Sequence, residues 1–156
     1  MKTVIVCASV SHGNTRRVAD AMARVLGAKV VSPEQADPAE LAGADLVGFG
    51  SGVFYGRLHR RLTDFVKALP AGRGRAFVFA TSGRPEAPRA PFTRPLVRLL
   101  EGKGFEVDGN FSCRALDTWA PFKLVGGINK QRPDAGDLAA AREFAERLRE
   151  GRGPLS

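Results

Sequence analysis

Thr3-Val4-Ile5-Val6-Cys7-Ala8-Ser9-Val10-Ser11-His12-Gly13-Asn14-Thr15 is the stretch whose reading decides the fold. Thr3 to Ala8 is a continuous apolar, largely β-branched run, as expected of a strand covered on both faces. Asn14 to Leu26 then places Val18, Ala21, Met22 and Val25 on one side of a helix, and Gly27 ends it. A doubly buried strand feeding a helix belongs to a parallel sheet with helices packed on it.

The same alternation continues along the chain. Strands are predicted at Lys29 to Ser32, Asp45 to Gly50, Arg75 to Thr81 and Phe105 to Cys113. Helices are predicted weakly at Pro38 to Ala42 and more firmly at Leu58 to Leu69, Phe92 to Lys103 and Asp137 to Arg149. Five strands joined by right-handed crossovers predict an α/β fold, a doubly wound five-stranded parallel sheet of order 2-1-3-4-5. Residues 1–150 form one domain in this reading, and 151–156 a frayed tail.

Ligands of such sheets bind at the carboxyl ends of the strands, beside the switch point at strand 1. The loop there, Ser9 to Thr15, combines three hydroxyl residues (Ser9, Ser11, Thr15), His12, Gly13 and Asn14. Glycine lets the backbone curl toward a ligand, helix-start N–H groups point at it, and hydroxyls donate to phosphate oxygens. An ordinary N-cap needs only one such group. Without the GK[ST] of a P-loop, the pattern fits a monophosphate ester held without metal. His12 either helps hold the phosphate or is simply solvated. Gly48-Phe49-Gly50-Ser51-Gly52 follows the wrong strand and has the wrong spacing for a dinucleotide fingerprint.

Other chemistries lack their residues. Receiver domains need an acidic pair after strand 1 and an aspartate after strand 3, where this chain has Ser9 and Ser51. His12 and His59 are the only histidines, too few for a zinc or iron site at usual spacing, and no GxSxG elbow presents a nucleophile. Cys7 and Cys113 lie far apart without a CxxC, so reduced thiols are expected. The apolar start stops at Ser9, short of a signal sequence, and no 18-residue apolar stretch occurs, so a cytoplasmic protein without membrane contact is expected.

The string Ser9-x-Ser11-His12-Gly13-Asn14-Thr15 after a buried first strand closely resembles the FMN phosphate loop of flavodoxins. The resemblance spans nearly the whole chain and implies one noncovalent FMN. By it, Ser51-Gly52-Val53-Phe54-Tyr55-Gly56 flanks the isoalloxazine, with Gly56 or Gly52 able to turn a peptide carbonyl toward flavin N5. Tyr55 reads as a ring-stacking residue, and Phe54 either stacks or staples the next helix. Thr81-Ser82-Gly83-Arg84 resembles the third flavin loop, whose backbone N–H groups reach the pyrimidine edge. Arg84 either stabilises negative charge near N1 and O2 or is solvated. Asp117-Thr118-Trp119, Pro121-Phe122-Lys123 and Gly126-Gly127-Ile128-Asn129-Lys130 look like pieces of a branch of short-chain flavodoxin-like microbial proteins. Asp117 and Trp119 join the cofactor set on that basis, with Trp119 either covering the flavin or packing the last helix.

The implied function is electron transfer between redox partners, with no bond-making on a substrate. One feature departs from the family's carriers, which are commonly acidic. Here 24 Lys and Arg oppose 16 acids, and positions 57–103 hold eleven basic against three acidic residues, the whole excess of +8. Acidic redox partners are therefore expected. An FMN-dependent NAD(P)H or quinone oxidoreductase is the alternative, with Arg57, Arg60, Arg84 or Arg89 engaging a nicotinamide phosphate. A nucleic-acid-binding module using the basic segment ranks lower, for want of interleaved aromatics or a reader fold.

Overall fold

A computed structural model describes residues 1–9, 13–54, 57–72, 74–82, 92–114 and 133–151. The sheet contains β1 (Thr3–Ala8), β2 (Lys29–Val31), β3 (Leu46–Phe54), β4 (Arg57–Leu58), β5 (Arg75–Ser82) and β6 (Glu106–Arg114). Around it lie α1 (Asn14–Leu26), α2 (Pro38–Ala42), α3 (Arg60–Ala68), α4 (Arg94–Lys103) and α5 (Ala135–Arg149). Five strands run parallel in the order β2-β1-β3-β5-β6, while β4 pairs antiparallel with the end of β3. Omitting that two-residue strand leaves the expected 2-1-3-4-5 order. No helix among the described residues is long and apolar enough to cross a membrane.

All six residues of β1 are buried, as a central strand requires. One face of the sheet packs Ile5, Cys7, Leu46, Phe77 and Phe79 against α1 and α5. The other packs Val4, Val6, Val47, Phe49 and Val78 against α3 and α4, with Leu41 of α2 at the margin. Gly48 and Gly50 belong to the first face, where they sit beside Phe77 and Phe79 in the register. A Cβ at Gly48 would lie 2.3 Å from Phe77 Cζ, and one at Gly50 2.2 Å from the Phe79 ring. These glycines are seats for two rings, which is the physical content of the GxGxG run.

Three of the boundaries that differ from expectation have a clear physical cause. β3 continues through Phe54 instead of stopping at Gly50, because its pairing with β5 extends to Gly52↔Thr81 and Arg57–Leu58 folds back onto Val53 and Phe54. That pairing consumes the residues expected to start the next helix, so α3 begins at Arg60. α5 begins at Ala135 because Asp134 and Asp137 form a reciprocal capping box, each carboxylate accepting the other's backbone N–H at 2.9 Å.

β6 carries a β-bulge. Ala76 pairs with Val107 but Phe77 pairs with Gly109, leaving Asp108 as the extra residue. Arg75 Nε donates to the Asp108 carboxylate, and its Nη2 donates to the Leu148 carbonyl at 2.9 Å, tying the bulge to the end of α5. On the other face, Lys103 Nζ donates to the carbonyls of Lys67 (2.7 Å) and Leu69 (2.5 Å), joining the C-terminal ends of α3 and α4.

Candidate functional site

The site is assembled where β1, β3 and β5 end. Sheet pairing sets Ala8, Ser51 and Ala80 in one row and Gly52, Thr81 and Cys113 in the next. The chain leaves β1 at Ser9, and α1 starts from Gly13, whose φ of 64° is the left-handed conformation that favours glycine. Arg17 N–H makes the first return bond, to the Gly13 carbonyl at 3.0 Å. Among the described residues no side chain caps α1, and no acid occupies its first turn, so the N–H groups of Asn14, Thr15 and Arg16 face outward as an anion-attracting end.

Hydroxyl accounting sharpens this. Ser9 Oγ is buried with no hydrogen-bond partner. Thr15, 3% exposed, meets Thr81, also 3% exposed, through their hydroxyls at 2.8 Å. One proton serves that contact, so the accepting hydroxyl keeps its own donor for a third group. Ser9 and the Thr15–Thr81 pair thus offer two uncommitted O–H donors beside the helix start. A buried unsatisfied hydroxyl costs about 1–3 kcal/mol, which a phosphate oxygen would relieve.

Ser51 is different. Its Oγ donates to the Gly52 carbonyl at 2.7 Å and accepts from His59 N–H at 3.0 Å, so its only proton is spent holding the β3–β4 hairpin. Val53 packs into the core beneath α3 and α4. Gly52 and Ser82 stand at the strand ends, with Phe54 closing β3 and Ser82 closing β5. Ser11, His12, Tyr55, Gly56, Gly83, Arg84, Asp117 and Trp119 lie outside the described residues, as do Arg89 and the tail 152–156.

Sequence reading missed the part played by His59. Its Nδ1 accepts from Arg61 N–H at 3.0 Å and caps α3, while its own N–H holds Ser51. Burial, assisted by the Arg61 charge, lowers its pKa below the ordinary value of 6.5. Arg61 in turn forms a two-pronged ion pair with Glu34, which holds that carboxyl below its usual range. Burial pushes the Cys7 thiol up to about 12, so this residue, paired with Gly50 under the site, is packing material.

Comparison with known proteins gives a consistent picture. Residues 5–89 match the family model described as a flavodoxin domain. An uncharacterized protein of Methanocaldococcus jannaschii is 35% identical over 95% of this chain and 98% of its own length. The structure of a flavodoxin from the domain Archaea superposes with a TM-score of 0.72 at 18% identity, covering 97% of this chain and 98% of that one. Oxidised flavodoxin 1 from Bacillus cereus gives the same score and identity, with full coverage of both chains.

Proposed function

The chain belongs to the flavodoxin-domain family, and from that premise we propose that it binds one FMN noncovalently and serves as an electron-transfer protein. The observation that carries the reading is the set of uncommitted donors at the start of α1: Ser9 Oγ, one hydroxyl of the Thr15–Thr81 pair, and the N–H groups after Gly13. A phosphate monoester needs several donors, and this corner supplies them, with no acid in the first turn of α1. When bound, FMN supplies redox chemistry at its isoalloxazine ring. The residues available to it are Ser9 and Gly13 to Thr15 for the phosphate. Gly52, Thr81 and Ser82 stand at the ends of β3 and β5, where the ring would lie. Ser51 acts indirectly, by fixing the hairpin that shapes this rim.

Titration of the purified protein with FMN, followed by quenching of flavin fluorescence, tests the reading. Thr15→Ala or Asn14→Ala is expected to weaken binding by about 1–3 kcal/mol, the scale of a hydrogen bond to a charged group. Unchanged affinity in both variants would refute a phosphate site at this loop. NADH or NADPH added alone to the loaded protein separates a carrier from an oxidoreductase, because direct bleaching of the flavin belongs only to the latter.

A further inference from the structure

We propose that the layer formed by β4, α3 and α4 is the docking surface for an acidic electron-carrier protein. This deepens the electron-transfer reading above by assigning its partner a place and a chemistry. The two helical layers differ sharply in charge. β4, α3 and α4 carry seven Lys or Arg against two acids, or four when Glu40 of α2 and its cap Asp37 at the margin of the same layer are added, whereas α1 and α5, with the caps Asp134 and Glu150, carry six of each. The surplus is therefore a property of one side of the molecule.

Its position is set by the fold. β4 pairs with the end of β3, which brings Arg57 beside Phe54 at the site rim. α3 starts two residues later, and its first residue is Arg60. Lys103 joins the C-terminal ends of α3 and α4, so the two helices run side by side and their N-terminal ends lie together toward the same rim. α4 opens with Arg94. Arg57, Arg60, Arg94 and Arg98 are all exposed, and the positive ends of both helix dipoles add to their field.

Acids do little to cancel the charges of Arg57, Arg60 and Arg98. Arg60 meets Asp64 only at 3.9 Å, with both side chains more than half exposed, a pair of small value. Arg61 is matched by Glu34, and among the described residues no acid pairs with Arg57 or Arg98. Among the described residues the one exposed large hydrophobic is Met1, at the start of the chain, so no described side chain of this layer is an exposed aromatic of the kind that stacks bases. A basic rim around a redox site instead matches an acidic protein, steering its approach and orienting it at contact.

Biolayer interferometry with an immobilised acidic two-iron ferredoxin as probe tests the surface, using apo and FMN-loaded protein. Raising ionic strength from about 0.01 M to about 0.15 M shortens the screening length from about 30 Å to about 8 Å, and binding is expected to fall at least about tenfold. At the lower salt, Arg60→Glu/Arg98→Glu is expected to lose about tenfold, and Arg24→Glu/Arg142→Glu, an equal charge change on the opposite layer, less than about twofold. Equal losses in the two variants, absence of binding, or tighter binding to immobilised single-stranded DNA than to the ferredoxin would overturn the proposal. FMN quenching on the same preparations keeps the two readings apart. Ferredoxin binding that responds to the α3–α4 variant without quenching sustains the surface and defeats the FMN assignment; quenching without ferredoxin binding does the reverse.

Discussion

Gly50→Ala would push a methyl group into the Phe79 ring. The added Cβ lies 2.2 Å from two ring atoms, far inside van der Waals contact, so either the ring or β3 must move. Neither moves cheaply. Phe79 is fully buried and stacked on Phe77 at 6.2 Å between centroids, Phe77 is itself seated over Gly48 and edged by Phe144 at 6.0 Å, and β3 is paired on both sides. Overpacking of this kind costs about 1–3 kcal/mol. At this chain length that corresponds to a Tm lowered by about 2–12 °C. Urea unfolding followed by circular dichroism should show the midpoint shift with an unchanged slope. Phe79→Leu in the same chain removes the atoms in conflict, so the double variant should be more stable than the sum of the single effects by about 0.5–3 kcal/mol. Single effects that add within about 0.5 kcal/mol would refute the idea that Gly50 exists to seat Phe79.

Two further outcomes concern titration and reactivity. His59 holds its proton less readily folded than unfolded, so unfolding takes up a proton as pH falls below about 6.5, and stability from this group, present above that value, is lost on acidification. His59→Asn keeps an N-cap acceptor without titrating, and should reduce the difference in urea midpoint between about pH 7.5 and about pH 5.5; an unaltered difference would show that His59 does not carry it. Cys7, 4% exposed with its thiol raised to about 12, should resist iodoacetamide in the native protein and react in urea. Native labelling at Cys7, located by peptide mass mapping, would contradict its burial.

What could be read ahead of the structure was local. β1 and α1 announce themselves through a continuous β-branched run, a 3.6-residue apolar spacing and a closing glycine, and both have the expected bounds. The five-stranded order follows from the alternation and the handedness rule. What escaped depends on distant partners. Gly-Ser-Gly-Val-Phe has poor strand propensity on its own, and Gly50 to Phe54 is extended because β5 and β4 offer ladders to it. Thr15 and Thr81 are 66 positions apart, so their shared proton was invisible in either loop. Ser51, placed beside the ring by resemblance, spends its proton on its neighbour's carbonyl, a bond not legible in its sequence position. The α5 cap was legible in principle as Asp-x-x-Asp, although Gly136 inside it weakens the helical pattern.

The bulge at Asp108 has the logic of a frameshift. Upstream of it, β6 is read in one frame, with Val107 packed toward the α3–α4 core; downstream the frame advances by one, and Gly109, Phe111 and Cys113 take the places beside Phe77, Phe79 and Thr81. Deleting Asp108 alone would remove the bulge and keep these downstream partners, whereas drawing Asp108 into the ladder opposite Phe77 would place Asn110 and Ser112 next to Phe79 and Thr81 and turn Phe111 away from the aromatic layer. A defect near the amino-terminal edge of the sheet thus decides, five residues and about 16 Å downstream, whether a thiol or a hydroxyl stands in the row that ends at the site. The register of that rim is consequently set near the opposite end of the sheet.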